Sequence, residues 1–472
     1  MKKKDKIRGK DLLAIGYTET ETRSLAMMIV GRKYKFESKE KKIELLQALV
    51  DNPEDYLENE HLSPIAIKLL NHRKTVIHYK FENKPYTTYG AEGIEDGAQS
   101  QMKQAMSLPI AVEGALMPDA HQGYGLPIGG VLATEKAIIP YGVGVDIGCR
   151  MCLSIFNAKG NYLDKNRAEL TSILGKNTRF SREAFSDRKR EDEIFEHSLF
   201  NEVPFIRSLK DKAYSQIGSS GGGNHFVEFG VVEITDSNHA LNLETGQYLA
   251  LLSHSGSRGF GAKIANTYTR IAKNKRELPQ SVAHLSWLYL SEQEGQEYWL
   301  AMNLAGDYAS ACHHHIHRRI SKALGIDTLK RIENHHNFAW KEKRAESREL
   351  IVHRKGATPA HKGELGIIPG SMTAPAFIVE GLGASPSINS AAHGAGRLFS
   401  RRRAKETFSK KMLKDELELK KVNLLGGGLD EVPFAYKNIH HVMRAQKNLV
   451  RSLAKFYPKI VRMADEGDAF TR

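Results

Sequence analysis

Cysteine, histidine and aspartate residues recur beside glycines in this 472-residue sequence, and their side chains are ligands for transition metals. The first pair is Asp146 and Cys149, three residues apart in YGVGVDIGCR. A carboxylate and a thiolate at this spacing can share one cation, and the thiolate can bridge two. A buried cysteine at the end of a strand is the alternative, and these two residues alone leave both interpretations open.

Further candidate ligands lie in three other segments. They are Asn224, His225 and Glu228 in GSSGGGNHFVEFG, His254 and Arg258 in LLSHSGSRGFG, and His336 in ENHHNFAW. Glycine-rich backbone can approach a ligand closely, and its consecutive amides can bind phosphate oxygens. The first segment is not a P-loop, because no Gly-Lys-Ser/Thr follows, so it indicates either a nucleotide or metal site or a flexible loop. The apolar run before His254 predicts a buried strand, and the Arg258 guanidinium suits a phosphate.

A different histidine has the surroundings of a nucleophile. His393 lies among small residues in NSAAHGAGRLFSRRRAK, which leaves its imidazole accessible to a bulky electrophile. Arg397 and Arg401 follow it as candidate phosphate contacts. Asp119 and His121 flank another glycine-rich turn in MPDAHQGYGLPIGG. Together these segments predict an active site assembled from distant parts of the chain, with thiolate, imidazole and carboxylate ligands and phosphate-binding surroundings.

The run CHHHIHRR, residues 312–319, also contains candidate metal ligands. On a helix its histidines spread around the axis, so at most two of them share a face. We therefore predict a solvated, basic helix face here rather than a metal site.

Composition limits the classes of protein that this chain can belong to. Hydrophobic residues are 41% and charged residues 26%, as in ordinary globular proteins. Three cysteines exclude a disulfide scaffold, and no apolar run is long enough to span a bilayer or to form a secretory signal. We therefore expect a cytoplasmic protein without a membrane partner. The net charge of +14 favours an anionic partner such as a nucleic acid or a nucleotide.

The elements that position these residues are mixed. Residues 1–75 show helical spacing and predict an appended segment of three or four short helices, with a turn at NPEDYL. Residues 76–472 form the second predicted domain. Its predicted strands are TVIHYKFE, KPYTTYG, GGVLAT and MCLSIFN. Its predicted helices cover residues 283–324, with one break near Glu294 and Gly295, and residues 435–455. Because strands and helices do not alternate regularly, the predicted fold class is α+β.

Seven segments, in this order, resemble the RtcB family of RNA-splicing ligases. They are DAHQGYGLPIGG, GVGVDIGC, GGGNHFVEF, HSGSRG, HRKGAT, IPGSM and HGAGRLFSR, and the likeness runs from about residue 85 to 440. The resemblance implies an α+β catalytic domain with a central metal cleft. It also implies joining of RNA 3′-phosphate or 2′,3′-cyclic phosphate ends to 5′-hydroxyl ends, with GTP and two Mn²⁺ ions, through a guanylated histidine.

The resemblance also implies a role for each candidate residue. The metal ligands would be Asp146, Cys149, His225, His254 and His336, with Cys149 bridging the two ions, and the nucleophile would be His393. The nucleotide would be held by Asn224, Glu228, Ser371, His393, Gly394, Ala395, Gly396 and Tyr436. RNA or GTP phosphates would contact Arg258, Arg397 and Arg401. We expect a monomer that acts on RNA with broken ends, and the need for a protein activator stays open.

This sequence departs from the family pattern at three places, and the last two bear on nucleotide selection. DIGCRM replaces the common DINCGV, and Ala376 replaces a second nucleotide-contacting serine. A lysine that touches guanine near the end of family chains corresponds to Met463, next to Arg462. Two other functions remain as alternatives to ligation. One is a metal-dependent 2′,3′-cyclic phosphodiesterase, and the other is a non-catalytic protein that binds RNA ends.

Overall fold

The computed structural model describes residues 6–73, 82–181, 183–185, 191–237, 240–344 and 348–465. The chain divides into two compact units, residues 1–78 with 275–277 and residues 79–274 with 278–472. A separate domain at residues 1–75 stays a prediction. Within the described ranges no helix is both long and apolar enough to cross a bilayer.

The smaller unit is helical, as the spacing of its apolar residues predicts. Its α-helices are α1 (Gly9–Ala14), α2 (Thr20–Lys33), α3 (Lys39–Asp51) and α4 (Ser63–Arg73). The predicted turn at NPEDYL is a 3₁₀ helix, Pro53–Tyr56, which follows the end of α3 at Asn52. The four helices bury a small core that includes Leu12, Val30, Leu46 and Ile65.

The larger unit is built on two sheets, and this arrangement confirms the α+β fold class. The first sheet has the order β1 (Thr87–Thr88), β2 (Ala111–His121), β3 (Ile128–Thr134), β11 (Glu349–Lys355) and β10 (Asn337–Lys343). The second runs β13 (Leu365–Ile368), β14 (Ala376–Gly381), β17 (Val450–Asp465), β6 (Phe226–Ile234), β7 (Gly246–Ser255), β5 (Arg150–Lys159) and β9 (Thr328–His335). β16 (Asn423–Gly427) pairs with β17. Two short ladders join β4 (Ala137–Ile138) to β8 (Leu288–Tyr289) and β12 (Ala357–Pro359) to β15 (Ser390–Ala392).

Helices cover the sheets and fill the connections of the larger unit. They are α5 (Asp96–Met106), α6 (Tyr162–Lys165), α7 (Arg167–Asn177), α8 (Leu199–Glu202), α9 (Pro204–Arg207), α10 (Lys210–Gln216), α11 (Arg258–Lys275), α12 (Gln293–Leu324), α13 (Arg401–Thr407), α14 (Lys410–Lys420) and α15 (Ile439–Ala445). The 32-residue α12 packs on the second sheet through β5 and β7. Its buried residues include Tyr298, Met302 and Tyr308, which share a core with α11.

The predicted helical stretch at residues 283–324 is α-helical only from Gln293, close to the break predicted near Glu294 and Gly295, and the helix predicted before that break is wrong. Residues 280–285 form a 3₁₀ helix, and Leu288 and Tyr289 form β8. β8 pairs with β4, so a strand partner distant in sequence overrides the local helical spacing. The helix begins at Gln293, where its first turn approaches β8 so closely that a Cβ on Gly295 would lie 2.0 Å from the Tyr289 carbonyl oxygen.

The predicted amphipathic helix at residues 435–455 is also wrong. Only Ile439–Ala445 is helical, and β17 begins at Val450. β17 lies between β14 and β6 and is buried at alternate positions around Phe456–Ile460. This two-residue repeat is that of a strand, and pairing with two neighbouring strands overrides the helical spacing of the sequence. The predicted strand GGVLAT lies in β3, and MCLSIFN lies in β5. KPYTTYG forms only the two-residue β1, and TVIHYKFE falls almost wholly outside the described residues.

The histidine run does not form a solvated face, and that prediction is wrong. His313, His315 and His317 are buried, and only the His314 side chain is substantially exposed, at 46%. A surface helix exposes one face to solvent, but α12 is covered by other parts of the protein on more than one side, so most of its histidines are buried. His313 and His317 face the second sheet, whereas His315 Nε2 lies 2.9 Å from Asp192 Oδ2.

A buried arginine ties the first sheet to the segment that carries His393. The Arg354 guanidinium is fully buried and donates to Glu342 Oε1 at 2.6 Å and to Ser390 Oγ at 2.7 Å. It also donates to the Ile388 carbonyl at 2.9 Å. Ser390 begins β15, and β15 ends directly before His393, so the hydrogen bond from Arg354 to Ser390 connects the first sheet to the strand that carries this histidine.

We expect Arg354→Met to lower the free energy of unfolding of the larger unit by about 3 kcal/mol, because it leaves the Glu342 carboxylate buried without its cation. Arg402→Met is the matched control, since Arg402 pairs with Glu406 on the surface of α13 and contributes at most about 0.5 kcal/mol. The three tryptophans all lie in the larger unit, so their fluorescence during urea unfolding reports its stability. Equal unfolding midpoints for the two variants would contradict the structural role of Arg354.

Candidate metal centre and active site

Four of the candidate ligands lie at the ends of neighbouring strands of the second sheet, all on the same side where these strands begin or end. Cys149 directly precedes β5, His225 directly precedes β6, and His254 is the last residue but one of β7. His336 lies between β9 and β10. Because β5 pairs antiparallel with β7 and β9, and β6 with β7, these ends are neighbours. The fold therefore collects residues that are up to 187 positions apart in the sequence.

The donor atoms of five predicted ligands form a continuous chain of close contacts. The Cys149 sulfur lies 3.3 Å from His225 Nε2 and 3.2 Å from His254 Nε2. His225 Nε2 lies 3.0 Å from Asp146 Oδ2, and His254 Nε2 lies 3.2 Å from His336 Nε2. The thiol is thus central, with a carboxylate and an imidazole on one side and two imidazoles on the other. Cys149, His225 and His254 form a buried group that can hold a metal ion.

The surroundings bias the protonation states of these groups. Burial lowers the pKa of His254 and His336 well below the ordinary value, which keeps both imidazoles neutral. Burial opposes ionisation of Asp146, but the hydrogen bond and charge of His225 outweigh it, so the pKa of Asp146 is lowered. Burial, together with the Asp146 carboxylate, raises the pKa of the Cys149 thiol. A cation must therefore displace the Cys149 proton, which makes metal affinity depend on pH.

The backbone of the turn after β7 lies against the Asp146 side chain and holds it in place. A Cβ on Gly256 would lie only 2.1 Å from Asp146 Oδ1, so only glycine fits there. The next residue, Ser257, donates its backbone N–H to the same oxygen at 3.1 Å. The turn after β7 therefore holds the carboxylate against the ligand cluster.

His393 lies beside this cluster and is oriented by a buried acid. Its ring centroid is 5.0 Å from that of His336. His393 Nδ1 lies 2.6 Å from Asp119 Oδ2, and the same oxygen accepts the backbone N–H groups of His393 and Gly394. Asp119 is fully buried. With Nδ1 donating its hydrogen to Asp119, the Nε2 lone pair of His393 is available for chemistry.

The predicted nucleotide-binding residues line the same cleft, which has a volume of about 850 Å³. They are Asn224, Glu228, Ser371, Gly394, Ala395, Gly396 and Tyr436. Gly396 has φ = +73°, and a Cβ there would lie 2.0 Å from the Asp119 carbonyl oxygen, so this backbone must be glycine. The Asn224 carbonyl oxygen lies 3.0 Å from His254 Nδ1 and fixes the orientation of that ring.

The three predicted phosphate-binding arginines differ in position. Arg397 and Arg401 line the cleft, but both also pair with acids: Arg397 with Glu431 at 3.1 Å, and Arg401 with Asp430 at 3.0 Å and with Glu431. Arg258 does not line the cleft. It is buried, with Nε 3.3 Å from Ser219 Oγ and a terminal nitrogen 2.5 Å from the Ser181 carbonyl oxygen. Its contact with phosphate stays a prediction.

Sequence reasoning missed the roles of three residues that the structure brings to the site. Asp119 holds His393, as described above. Asn337 accepts the Gly356 N–H at 2.8 Å and donates to the Asp146 carbonyl oxygen at 3.4 Å. Lys355 donates to the Tyr124 and Leu126 carbonyl oxygens, and burial lowers its pKa to about 7. All three lie in or beside the quoted motifs, but only tertiary structure shows which groups they contact.

Comparisons with known proteins find a matching family and several relatives. A sequence model of the family described as "tRNA-splicing ligase RtcB" matches residues 101–205 and 201–464. The RNA-splicing ligase RtcB of Escherichia coli K12 is 32% identical over 395 residues, which cover 76% of this chain and 91% of that protein. The tRNA-splicing ligase RtcB of Nanoarchaeum equitans is 29% identical over 453 residues, covering 80% and 95%. That of Thermococcus kodakarensis is 28% identical over 429 residues, covering 74% and 89%.

We expect Gly256→Ala to weaken metal binding although it removes no ligand, because the new methyl group must displace the Asp146 carboxylate. Loss of a supporting contact typically lowers metal affinity about 10- to 100-fold. Titration of the purified protein with Mn²⁺ measures the change. The matched control is Gly175→Ala in α7, where an added Cβ meets no atom within 4 Å. Unchanged affinity in Gly256→Ala would show that Asp146 is not a ligand.

Proposed function

This chain belongs to the RtcB family and is an RNA ligase, and from that premise we propose that it joins RNA 3′-phosphate or 2′,3′-cyclic phosphate ends to 5′-hydroxyl ends through a histidine–GMP intermediate. The observation that carries the proposal is the orientation of His393 by buried Asp119, beside five candidate metal ligands. A phosphodiesterase requires the ligands but has no use for an oriented imidazole among them.

The first step uses the free nitrogen of His393. With its proton held on Nδ1 by Asp119, the Nε2 lone pair attacks the α-phosphorus of GTP. An N–P bond forms, the bond to the β-phosphate oxygen breaks, and pyrophosphate leaves. The RNA 3′-phosphate then takes GMP from the histidine, and the 5′-hydroxyl attacks the activated end and releases GMP. A cyclic phosphate end must first be opened by water.

The metal ions of this reaction would be two Mn²⁺, held by Asp146, Cys149, His225, His254 and His336. When bound, they neutralise phosphate charge and polarise the phosphoryl oxygens. Cys149 lies between two pairs of candidate ligands, so its sulfur would help to hold both ions, as the resemblance implies. Thiolate and imidazole do not select Mn²⁺ over Zn²⁺, so the choice of manganese rests on the family resemblance.

The arginines of the cleft are proposed to serve different purposes. The Arg401 side chain is 44% exposed and Arg397 only 14% exposed. Arg397 also donates to the Tyr436 hydroxyl at 3.2 Å, within the same cluster as Glu431. Arg401 can therefore turn toward a phosphate, whereas Arg397 holds Glu431 and Tyr436 in place.

One end of the cleft has the composition of a pocket for the nucleotide base. β6 and β17 are paired so that Phe226 faces Met463 and Glu228 faces Val461. These four side chains and Met372 line the cleft. Burial raises the pKa of Glu228 well above the ordinary value. Arg462 points away, because it packs on Phe180 and pairs with Asp465 at 2.9 Å, so it cannot replace a base-reading lysine.

We expect His393→Ala to abolish covalent labelling by radiolabelled GTP with Mn²⁺, and ligation with it, because no other nucleophile has this geometry in the described part of the cleft. Acid-labile label on denatured protein is the measurement. Mn²⁺ binding should persist, and so should joining of RNA ends that already carry GMP. His441→Ala, an exposed histidine on α15, is the control and should label normally.

The same experiment separates the alternatives to ligation. A phosphodiesterase would open cyclic phosphates equally well with and without His393. A protein that only binds RNA ends would take up no label even in the wild type. Persistent label in His393→Ala would overturn the assignment of the nucleophile.

We also expect ATP to support labelling, because Met463 offers no hydrogen bond to a guanine oxygen. Loss of one charged hydrogen bond removes about 1.5–3 kcal/mol of discrimination, or about 10- to 150-fold. Labelling rates with ATP and GTP measure the preference, and Met463→Lys should shift it toward GTP by a similar factor. Strict dependence on GTP in the wild type would contradict this expectation.

A further inference from the structure

A second group of metal-binding side chains lies on the opposite face of the strands that carry the active site. Cys152 of β5 faces α12, where His313 and His317 stand one helical turn apart. All three side chains are fully buried. One donor atom from each lies within 4.8 Å of the other two. None of these residues takes part in the reaction proposed above.

The two imidazoles direct a nitrogen at the same point. His313 Nδ1 lies 2.7 Å from Ser253 Oγ, and His317 Nε2 lies 2.9 Å from the same oxygen. Ser253 is directly opposite Cys152 in the β5–β7 pairing, so thiol and hydroxyl belong to one face of the sheet. With the Ser253 hydroxyl beside both ring nitrogens, the group offers four donor atoms, which matches the number of ligands in a structural zinc site.

The outer nitrogens of both rings are held as in known metal sites. His313 Nε2 lies 3.1 Å from the Ser255 carbonyl oxygen, which can only accept a hydrogen bond. The proton of His313 is thus on Nε2, and the Nδ1 lone pair points inward. His317 Nδ1 lies 2.8 Å from Ser154 Oγ and can donate to it, which turns the Nε2 lone pair inward as well. Metal-ligating histidines are usually fixed by such outer hydrogen bonds.

The charges of the surrounding groups determine what a cation would need from its ligands. Burial lowers the pKa of His313 to about 3 and that of His317 well below the ordinary value, so both rings are neutral ligands. Glu333 lies directly opposite Cys152 in the β5–β9 pairing. Burial opposes its ionisation, but His314 and Arg150 outweigh it and hold the pKa of Glu333 at about 2. Glu333 is therefore negatively charged, but Arg150 pairs with it at 3.1 Å and Arg331 Nε lies 3.3 Å from Ser154 Oγ. The negative charge that a cation requires must therefore come from the Cys152 thiolate.

We propose that Cys152, His313 and His317 bind one zinc ion as a structural site, with the Ser253 hydroxyl oxygen as the fourth ligand. Thiolate and imidazole without a carboxylate ligand favour zinc over the oxygen-preferring Mn²⁺. Binding replaces the Cys152 proton with the ion. Because the site is closed to solvent, the ion enters as the chain folds and then exchanges slowly.

A metal-free arrangement of the same groups is the alternative. If His317 carries its proton on Nε2, that nitrogen donates to Ser253 Oγ, and the Ser253 hydroxyl donates to His313 Nδ1. Such a chain satisfies every polar group without an ion. The two arrangements differ in metal content, which a measurement can decide.

The test is the metal content of the full-length protein, produced in zinc-supplemented medium and dialysed against EDTA. Elemental analysis should find one retained zinc ion per chain, because the chelator strips the open cleft but not the closed site. Cys152→Ser and His317→Gln should lose that ion. Cys312→Ser, which changes another buried cysteine of the chain, is the matched control and should keep it, as should Cys149→Ala.

Wild-type protein without retained zinc would overturn the proposal, and so would full retention in Cys152→Ser. If the Cys152 and His317 variants fail to fold, the Cys149→Ala protein can be produced in medium that contains cobalt instead of zinc, and its absorption spectrum then tests the site. A thiolate-to-cobalt absorption band there supports the site, and its absence refutes it. Metal content is independent of nucleotide transfer, so failure of the proposed ligation reaction would leave this result intact.

Discussion

The constraint on which the structure depends is the burial of five candidate metal ligands, each within hydrogen-bond distance of at least one other. Cys149 is flanked by imidazoles at 3.2 and 3.3 Å, and a carboxylate follows at 3.0 Å from one of them. Such a cluster is unfavourable without a cation, because burial penalises every charged form. The surrounding sheet must therefore be rigid enough to hold the ligands together. The ligands lie at the ends of neighbouring, hydrogen-bonded strands, and this pairing provides the rigidity.

The nucleophile depends on the same rigidity through a separate set of contacts. Asp119 belongs to β2 and accepts hydrogen bonds from His393 and Gly394, which follow β15. Buried Arg354 connects β11 to Ser390 at the start of β15. The imidazole is thus positioned by the first sheet, whereas most of the metal ligands are positioned by the second. The reaction proposed here requires both sheets to keep their alignment.

The sequence allowed the site to be predicted better than the fold around it. Residue types and spacing made Asp146, Cys149, His225, His254 and His336 candidates, and the family resemblance combined them into one proposed ligand set, which the structure brings together. The strand at Val450–Asp465 and the strand at Leu288–Tyr289 could not be predicted, because their partners lie far away in the sequence. The orientation of His393 by Asp119 joins residues 274 positions apart, so no local pattern contains it.

The histidine run shows the physical reason for the largest error. Spacing predicts that two of its histidines share a face of α12, and that is correct for His313 and His317. Polarity then suggests solvent exposure, but the polar groups opposite them on the sheet satisfy their hydrogen bonds inside the protein. Strand alternation places His254 on the cleft face of β7 and Ser253 on the other. Consecutive residues of one strand thereby serve two buried polar clusters, back to back, and a change in either cluster acts on the same backbone.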